Sequence, residues 1–327
     1  MSKLVTIYGG SGFVGRYIAH RMAKAGWRVR VAVRRPNEAL FVKPYGVVGQ
    51  VEPVLCNIRD DASVAAAMQG ADVVVNCVGV LVETGKNSFD AVQAEGAGRI
   101  ARIAAEQNVA RMVHLSAIGA DADAASAYAR TKAEGEAAVL QYMPDAVILR
   151  PSVIFGQEDQ FFNRFGDMTR MGPFLPIAGA GTKFQPVHVD DVAHAAELAI
   201  AGEAAPGVYE LGGPRVATMR ELMATMLDVI HRTRIVIGLP FFIAGIIALI
   251  MDIVQFVSFG LITNKVLTRD QLRNLRNDNV VAEGAKSFAD LGITPVAMEA
   301  ILPSYLWKFR PNGQYDEMTR AARKLRP

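Results

Sequence analysis

Cysteine is nearly missing from these 327 residues: Cys56 and Cys77 are the only two, each inside an apolar run. Two separated thiols make neither a disulfide framework nor a metal-ligand cluster, so they read as buried thiols of a reducing compartment, and no metal site is expected. An excess of one charge sign is missing too, since 35 Lys and Arg stand against 32 Asp and Glu, a net charge of +3. That balance offers no electrostatic case for a nucleic-acid partner. The chain enters an apolar strand at Lys3 without a signal-peptide core or an Arg- and Ser-rich amphipathic leader. It is therefore read as a protein made and kept in a bacterial-type cytoplasm, or as a mature form. Repeats and low-complexity segments are lacking as well. With 51% apolar and 20% charged residues, disorder, collagen and coiled coil are excluded, and the length suits a nucleotide-binding domain plus a smaller lobe.

What is present begins with rhythm. Short β-branched runs alternate with Ala-rich stretches, the pattern of parallel strands joined by crossover helices. Strands are expected at Leu4–Tyr8, Arg28–Val33, Val51–Cys56, Val73–Val78, Met112–Ser116 and Ala146–Arg150. Helices are expected at Phe13–Ala25, Ser63–Met68, Val92–Asn108 and Tyr128–Gln141, the last stopped by Pro144. The fold expected is α/β, a Rossmann-type doubly wound parallel sheet over residues 1–152, completed by about 187–200. A smaller, split C-terminal lobe over 153–327 carries an apolar segment, 235–264, and a basic tail with Arg320, Arg323, Lys324 and Arg326.

Gly9-Gly10-Ser11-Gly12-Phe13-Val14-Gly15 follows the first strand and opens a helix, the context a dinucleotide fingerprint requires. Gly9 permits the tight turn, Gly12 lets backbone approach a pyrophosphate, and Gly15 packs helix on strand. The amides of Ser11, Phe13 and Val14 face the anion. The second strand ends in Val33-Arg34-Arg35-Pro36, where a carboxylate would have bound the ribose diol of NAD. Two guanidiniums and no acid point to NADPH, because Arg pairs with phosphate through charge-assisted bonds. Asn57 and Ile58 are placed by the adenine and Val78-Gly79 by the ribose. His114 and His188 read as structural.

With the runs Asn76-Cys77-Val78-Gly79, His114-Leu115-Ser116, Tyr128-Ala129-Arg130-Thr131-Lys132, Arg150 to Gly156 and Val187 to Val192 added, the chain resembles the short-chain dehydrogenase/reductase superfamily, in its extended or atypical branch. That resemblance implies Tyr128 as the acid, Lys132 as the group that lowers the phenol's pKa and holds the nicotinamide ribose, Ser116 beside them, and the Pro151-to-Val153 backbone at the carboxamide. Tyr128 and Lys132, four apart, share one helix face. The sequence departs from the family where Ala117 and Ile118 stand in place of a polarising hydroxyl, so these residues are read as cofactor-binding rather than catalytic. Within the superfamily the chain is similar to the NADPH-binding accessory subunits of respiratory complex I, chiefly through the run from Ile154 to Asn163 and the apolar C-terminal lobe. This implies other complex I subunits as partners, a place where hydrophilic and membrane arms join near the quinone site, and the cytoplasmic face of the bacterial inner membrane.

Ile235 to Asn264 is 30 residues holding one charge, Asp252. Pro240 and Asp252 interrupt it, and Gly245, Ala248, Asp252 and Gln255 form a thin stripe of small or polar groups. A helix lying in the membrane interface or against the membrane arm suits it better than a span, with His231, Arg232, Arg234, Lys265 and Arg269 reaching toward anionic head groups. The function expected is that of a non-catalytic, NADPH-holding accessory subunit. An active NADP-dependent reductase of a hydrophobic carbonyl or quinone-like substrate is one alternative, and an NADP(H)-binding regulatory sensor another.

Overall fold

The computed structural model describes residues 2–257 and 267–324. Residues 258–264 of the apolar segment, Lys265 and Arg326 lie outside that range, as do the side chains of Gln255, Arg320, Arg323 and Lys324.

Six strands and four helices alternate first: β1 (Leu4–Tyr8), α1 (Phe13–Lys24), β2 (Arg28–Val33), β3 (Val51–Leu55), α2 (Asp61–Met68), β4 (Val73–Asn76), α3 (Glu95–Glu106), β5 (Arg111–Leu115), α4 (Ala127–Tyr142) and β6 (Val147–Pro151). Shorter pieces follow: β7 (Ile154–Phe155), α5 (Phe162–Met168), β8 (Phe174–Ala178), β9 (Lys183–Phe184), β10 (Val187–His188), α6 (Val189–Ala201) and β11 (Gly207–Leu211). The remainder is β12 (Ala217–Thr218), α7 (Met219–Val229), β13 (Ile235–Leu239), α8 (Phe241–Val257), α9 (Arg269–Asn274), α10 (Met298–Leu306) and α11 (Asp316–Lys324).

The main sheet has seven parallel strands in the order β11-β6-β5-β4-β1-β2-β3. Val73, Val74 and Val75 of β4, like every residue of β1, are buried, as strands covered on both faces must be. One covering layer is α1 and α6, where Ile18, Met22, Val192 and Ala196 pack on the sheet. The other is α2, α3 and α4, with Val64, Ile100 and Val139. Each such aliphatic side chain removed from water contributes about 1.5–3 kcal/mol. The order reverses between β1 and β4, so a crevice opens beyond their carboxyl ends, where doubly wound sheets bind ligands. Tyr8 of β1 lies level with Ala32 of β2 and Asn76 of β4, which brings Gly9, Arg34 and Cys77 to that crevice.

The expected α/β class is what the chain adopts, and most expected bounds move by a residue or two. β4 stops at Asn76 rather than Val78 because the Asn76 side-chain oxygen accepts the Val78 amide at 3.0 Å and turns the chain. The helix expected from Val92 opens with a π turn, Asp90–Ala94, before α3. The seventh strand, β11, pairs with β6 although it lies past the expected completion at 187–200.

A second core gathers Phe155, Phe162, Leu175, Leu222, Met226 and Leu302 from the shorter elements. Asp159, inside the Ile154–Asn163 run, is its polar hub. The buried carboxylate accepts the amides of Gly156, Phe161 and Asn163 and the Tyr305 hydroxyl at 2.5 Å. Beside it Glu158 accepts from the Tyr17 hydroxyl at 3.0 Å and pairs with Arg16 at 3.4 Å, so the same run holds the outer face of α1.

The helix crossings give a test with a built-in control. A β-carbon on Gly135 of α4 would sit 2.2 Å from the Gln93 carbonyl, whereas one on Gly245 of α8 would meet nothing within 4 Å. Gly135→Ala should lower stability by about 1–3 kcal/mol, and Gly245→Ala should raise it by about 0.5–1 kcal/mol, in denaturant unfolding of the isolated protein. Equal effects of the two substitutions would contradict the close contact between α4 and the π turn that opens α3.

Candidate nucleotide-binding site

Gly9 turns the chain with φ +75°, and a β-carbon there would lie 3.2 Å from the Cys77 backbone. A β-carbon on Gly15 would come within 2.4 Å of the Gly9 carbonyl, so α1 sits directly on the turn only because position 15 is glycine. Gly12 is the N-cap of α1, no side chain caps this end, and no acid stands in the first turn. The first-turn amides are left as donors, and the helix dipole adds partial positive charge. Arg16 holds the loop from behind, donating to the carbonyls of Ser11 and Gly12 at 3.0 and 3.2 Å.

Arg34 and Arg35 are both exposed at the end of β2, next to this turn through the Gly9 amide bond to Ala32. Arg35 pairs with Glu38 at 3.0 Å, and Arg34 has no side-chain partner among the described residues. Further around the crevice, Asn57 caps its own loop by accepting the Arg59 amide at 3.2 Å. A β-carbon on Gly96 would lie 2.9 Å from the Ile58 side chain, which places Ile58 against α3. Val78 and Gly79 follow β4, and Gly79 is exposed.

Tyr128 and Lys132 lie on α4, across the crevice from the glycine turn. Burial pushes the Tyr128 phenol up to about 12. Burial also pulls the Lys132 ammonium down to about 8, against the neighbouring Glu136 and Cys77, which favour the charge. Lys132 donates to the Leu115 carbonyl at 3.0 Å. Among the described residues no charged group lowers the Tyr128 phenol, whose ring stands edge-on to Phe89 at 5.9 Å. Ser116 is buried, with a hydroxyl that has no partner among the described residues. Ile118 is buried beside it and Ala117 half-buried. The carbonyls of Pro151 and Val153 accept the amides of Ile118 and Val187 at 3.1 and 3.0 Å. His114 is a core residue, taking a 3.2 Å bond from Asn76 on one ring nitrogen, while burial and then Lys132 hold its pKa down to about 3. Its other nitrogen has no partner among the described residues.

Three features fit a dinucleotide: the side-chain-free cradle, the uncapped end of α1 and the orphaned Ser116 hydroxyl facing no protein acceptor. No cluster of His, Cys, Asp and Glu among the described residues can hold a metal ion.

Several residues that shape the site carry no local signal. Glu136, one turn beyond Lys132, forms a forked pair with Arg150 of β6 at 2.9 and 2.6 Å and thereby fixes α4 against the sheet. Asn279 donates to the Ile118 carbonyl at 3.1 Å and accepts from the Ser152 hydroxyl. Asp270 accepts the Ala127 and Tyr128 amides and the Ser126 hydroxyl at 2.8, 3.1 and 2.7 Å. The partners of Asn279 and Asp270 stand more than a hundred positions away and those of Glu136 fourteen, without a periodic pattern, so spacing could not reveal them.

Comparison with known proteins agrees with this geometry. Residues 5–212 match the NAD dependent epimerase/dehydratase family. The chain is 36% identical over 316 residues, 95% of its length and 79% of the relative's, to "NADH dehydrogenase [ubiquinone] 1 alpha subcomplex subunit 9, mitochondrial" of Arabidopsis thaliana. It is 30% identical over 312 residues, 95% and 80% of the two chains, to "NADH-ubiquinone oxidoreductase 40 kDa subunit, mitochondrial" of Neurospora crassa. The fold is like that of the Bordetella bronchiseptica enzyme WbmH in complex with NAD+, with TM-score 0.66 and 17% identity over 96% of this chain and 100% of that one. The location expected on the bacterial inner membrane, and the bacterial-type cytoplasm with it, needs correcting, because both complex I relatives are mitochondrial. The cytoplasmic part of that expectation rests on missing leader features, a lack that carries no physical information about the compartment, and the membrane part on a resemblance that mitochondrial subunits share. The chain belongs to the NAD dependent epimerase/dehydratase family and, within it, to the line of the complex I alpha subcomplex subunit 9 proteins.

Proposed function

We propose that this chain is an accessory subunit of respiratory complex I that holds NADPH without turning it over, docked where the hydrophilic and membrane arms meet near the quinone site. The complex I relatives support the assembly, and one feature of the site carries the rest: an open anion cradle faces an acid–base pair that is not tuned for proton transfer. A phenol held near 12 beside Ala117 and Ile118 is poorly matched to proton transfer at neutral pH. A bound nucleotide at a thousandfold excess over its dissociation constant would still stabilise the fold by about 4 kcal/mol, a structural role that needs no reaction.

In this reading Gly9, Ser11, Gly12, Phe13, Val14 and Gly15 hold the pyrophosphate. Arg34 and Arg35 take the 2'-phosphate. Asn57 and Ile58 border the adenine, and Val78 with Gly79 admits the adjoining ribose. Ser116, Tyr128 and Lys132 surround the nicotinamide ribose, with Pro151 and Val153 at the carboxamide. When bound, the nicotinamide would supply hydride chemistry, which the chain's own residues orient and leave unused. An active reductase remains the second reading because Tyr128 and Lys132 are both retained.

The apolar helix supports a peripheral place on the bilayer. Ala244 and Ala248 of α8 are buried against Leu272, so the side of the helix that carries these two alanines faces the protein. Phe242, Ile246, Leu249 and Ile250 point outward at 71%, 56%, 42% and 54% exposure. No helix among the described residues is long and apolar enough to cross a membrane. Exposed Arg269 and Arg276 lie along the helix, Arg269 paired with Asp252 and Arg276 over the Phe241 ring at 5.6 Å, so their guanidiniums flank the apolar face, which suits acyl chains with cations at the head groups.

The assembly is tested by mild detergent extraction: the chain should travel with complex I subunits, and its recovery as a lone soluble protein would contradict the proposal. Arg34→Ala should weaken NADPH by about 1–3 kcal/mol while leaving NADH nearly unchanged. Arg35→Ala should do less, because Arg35 already pairs with Glu38. Equal losses for NADPH and NADH in calorimetric titrations would undo the phosphate assignment.

Lys132 gives a pH test. Its folded value near 8 lies below its ordinary 10.5, so at neutral pH the buried ammonium destabilises the empty protein by roughly 3 kcal/mol at most. That cost fades as pH rises from 8 toward 10.5, where the unfolded chain still binds the proton and the folded one does not. Lys132→Met should therefore raise the melting temperature of the nucleotide-free protein at pH 7, remove its gain between pH 8 and 10, and shrink the added shift produced by NADPH. A substitution that lowers the nucleotide-free melting temperature at pH 7 would contradict the account.

A further inference from the structure

The two helix N-termini flanking the crevice are treated in opposite ways. That of α1 is uncapped. That of α4 is closed from the far side of the molecule. The Ser126 hydroxyl caps the Ala129 amide at 3.4 Å and donates to Asp270, whose carboxylate also takes the Ala127 and Tyr128 amides. The carboxylate thus satisfies two of the orphan donors of α4 and meets the positive end of its dipole. Tyr128 is the second residue of that helix and Lys132 lies one turn on, so the placement of both depends on this end.

Asp270 belongs to α9, and α9 is tied to the apolar helix. Leu272 packs against Ala244 and Ala248 of α8. The Arg269 guanidinium donates to Asp252 of α8 at 3.0 Å. The chain leaving α9 supplies Asn279, which grips Ser152 and the Ile118 carbonyl. One segment, Asp270 to Asn279, therefore clasps both walls of the nicotinamide end of the crevice and is fastened by its first turn to α8.

We propose that Asp270 is a positioning residue linking the nucleotide site to the apolar helix, so that bound NADPH and an α8 seated on a bilayer strengthen each other. The proposal rests on the bilayer reading of α8 for its second half and on the α4 cap for its first. A seated α8 holds α9 in place through Arg269 and Leu272. A held α9 keeps the carboxylate on the first turn of α4, which keeps Tyr128 and Lys132 in the geometry that receives the nucleotide ribose. Because equilibrium coupling is reciprocal, NADPH must tighten membrane association by the same factor.

The test uses the full chain, NADPH fluorescence titrations, and sedimentation with vesicles of phosphatidylglycerol and phosphatidylcholine. Vesicles should tighten NADPH binding by about fivefold or more, and NADPH should raise vesicle binding equally. Asp252→Asn, which loosens the tie to Arg269 and leaves every head-group cation in place, should keep vesicle binding and vesicle-free NADPH affinity within about twofold while losing the coupling. Asp270→Ala should weaken vesicle-free NADPH binding several-fold, and Asp270→Asn, which keeps one acceptor, should recover part of it. A wild-type chain that sediments with vesicles yet binds NADPH equally with and without them overturns the coupling. Unchanged NADPH affinity in a folded Asp270→Ala protein overturns the positioning role. A chain that never sediments with vesicles overturns the bilayer reading instead, and the Asp270 titrations then decide the positioning role alone.

Discussion

The seating of α1 on the turn after β1 is the contact from which the site follows. A missing β-carbon at Gly15 lets the helix lie against the Gly9 carbonyl, and that closeness aims the first-turn amides into the crevice where the strand order reverses. A helix displaced outward by even a methyl group would carry those donors away from the ends of β2 and β4. Arg16, Tyr17 and Glu158 hold the opposite side of the same helix, so the cradle is braced by the second lobe as well as by the sheet.

Across the crevice the chemistry is quieter. Tyr128 and Lys132 keep the spacing of an acid–base pair, but burial drives their proton affinities apart, holding the phenol protonated and pulling the ammonium down toward about 8. The role proposed for such a site is to hold a nucleotide rather than react with it. The buried ammonium destabilises the empty protein despite its bond to the Leu115 carbonyl and gains further acceptors when a ligand's hydroxyls lie against it, which couples occupancy to stability. The exposed face of α8 belongs to the same logic, since the structure ends on a surface that water alone covers poorly.

Much of this was legible in the chain. The glycine spacing, the valine run of β4 and the Ala-rich crossovers point to a doubly wound sheet because each follows from local sterics and burial of both sheet faces. Arg34 and Arg35 were legible for the same reason, being adjacent to a strand end. Ala248 of the small-residue stripe was visible, but its direction was not: only the packing of Leu272 on Ala244 and Ala248 tells that this side of the helix faces inward. Asp270, Asn279 and Glu136 were out of reach, since their partners are brought together by tertiary contacts with no periodic trace. The Ile154–Asn163 run stood out as a likeness, and the structure supplies its physical content in the Asp159 carboxylate and its four donors.

The central claim is that the cradle holds NADPH and leaves it unreacted. The most direct measurement adds NADPH to the purified full chain, follows its fluorescence, and then watches its absorbance in the presence of a lipid-soluble quinone. The account predicts saturable one-to-one binding with no consumption of the nucleotide beyond that of a protein-free control. Absence of binding, or steady oxidation that disappears in Tyr128→Phe, would contradict it.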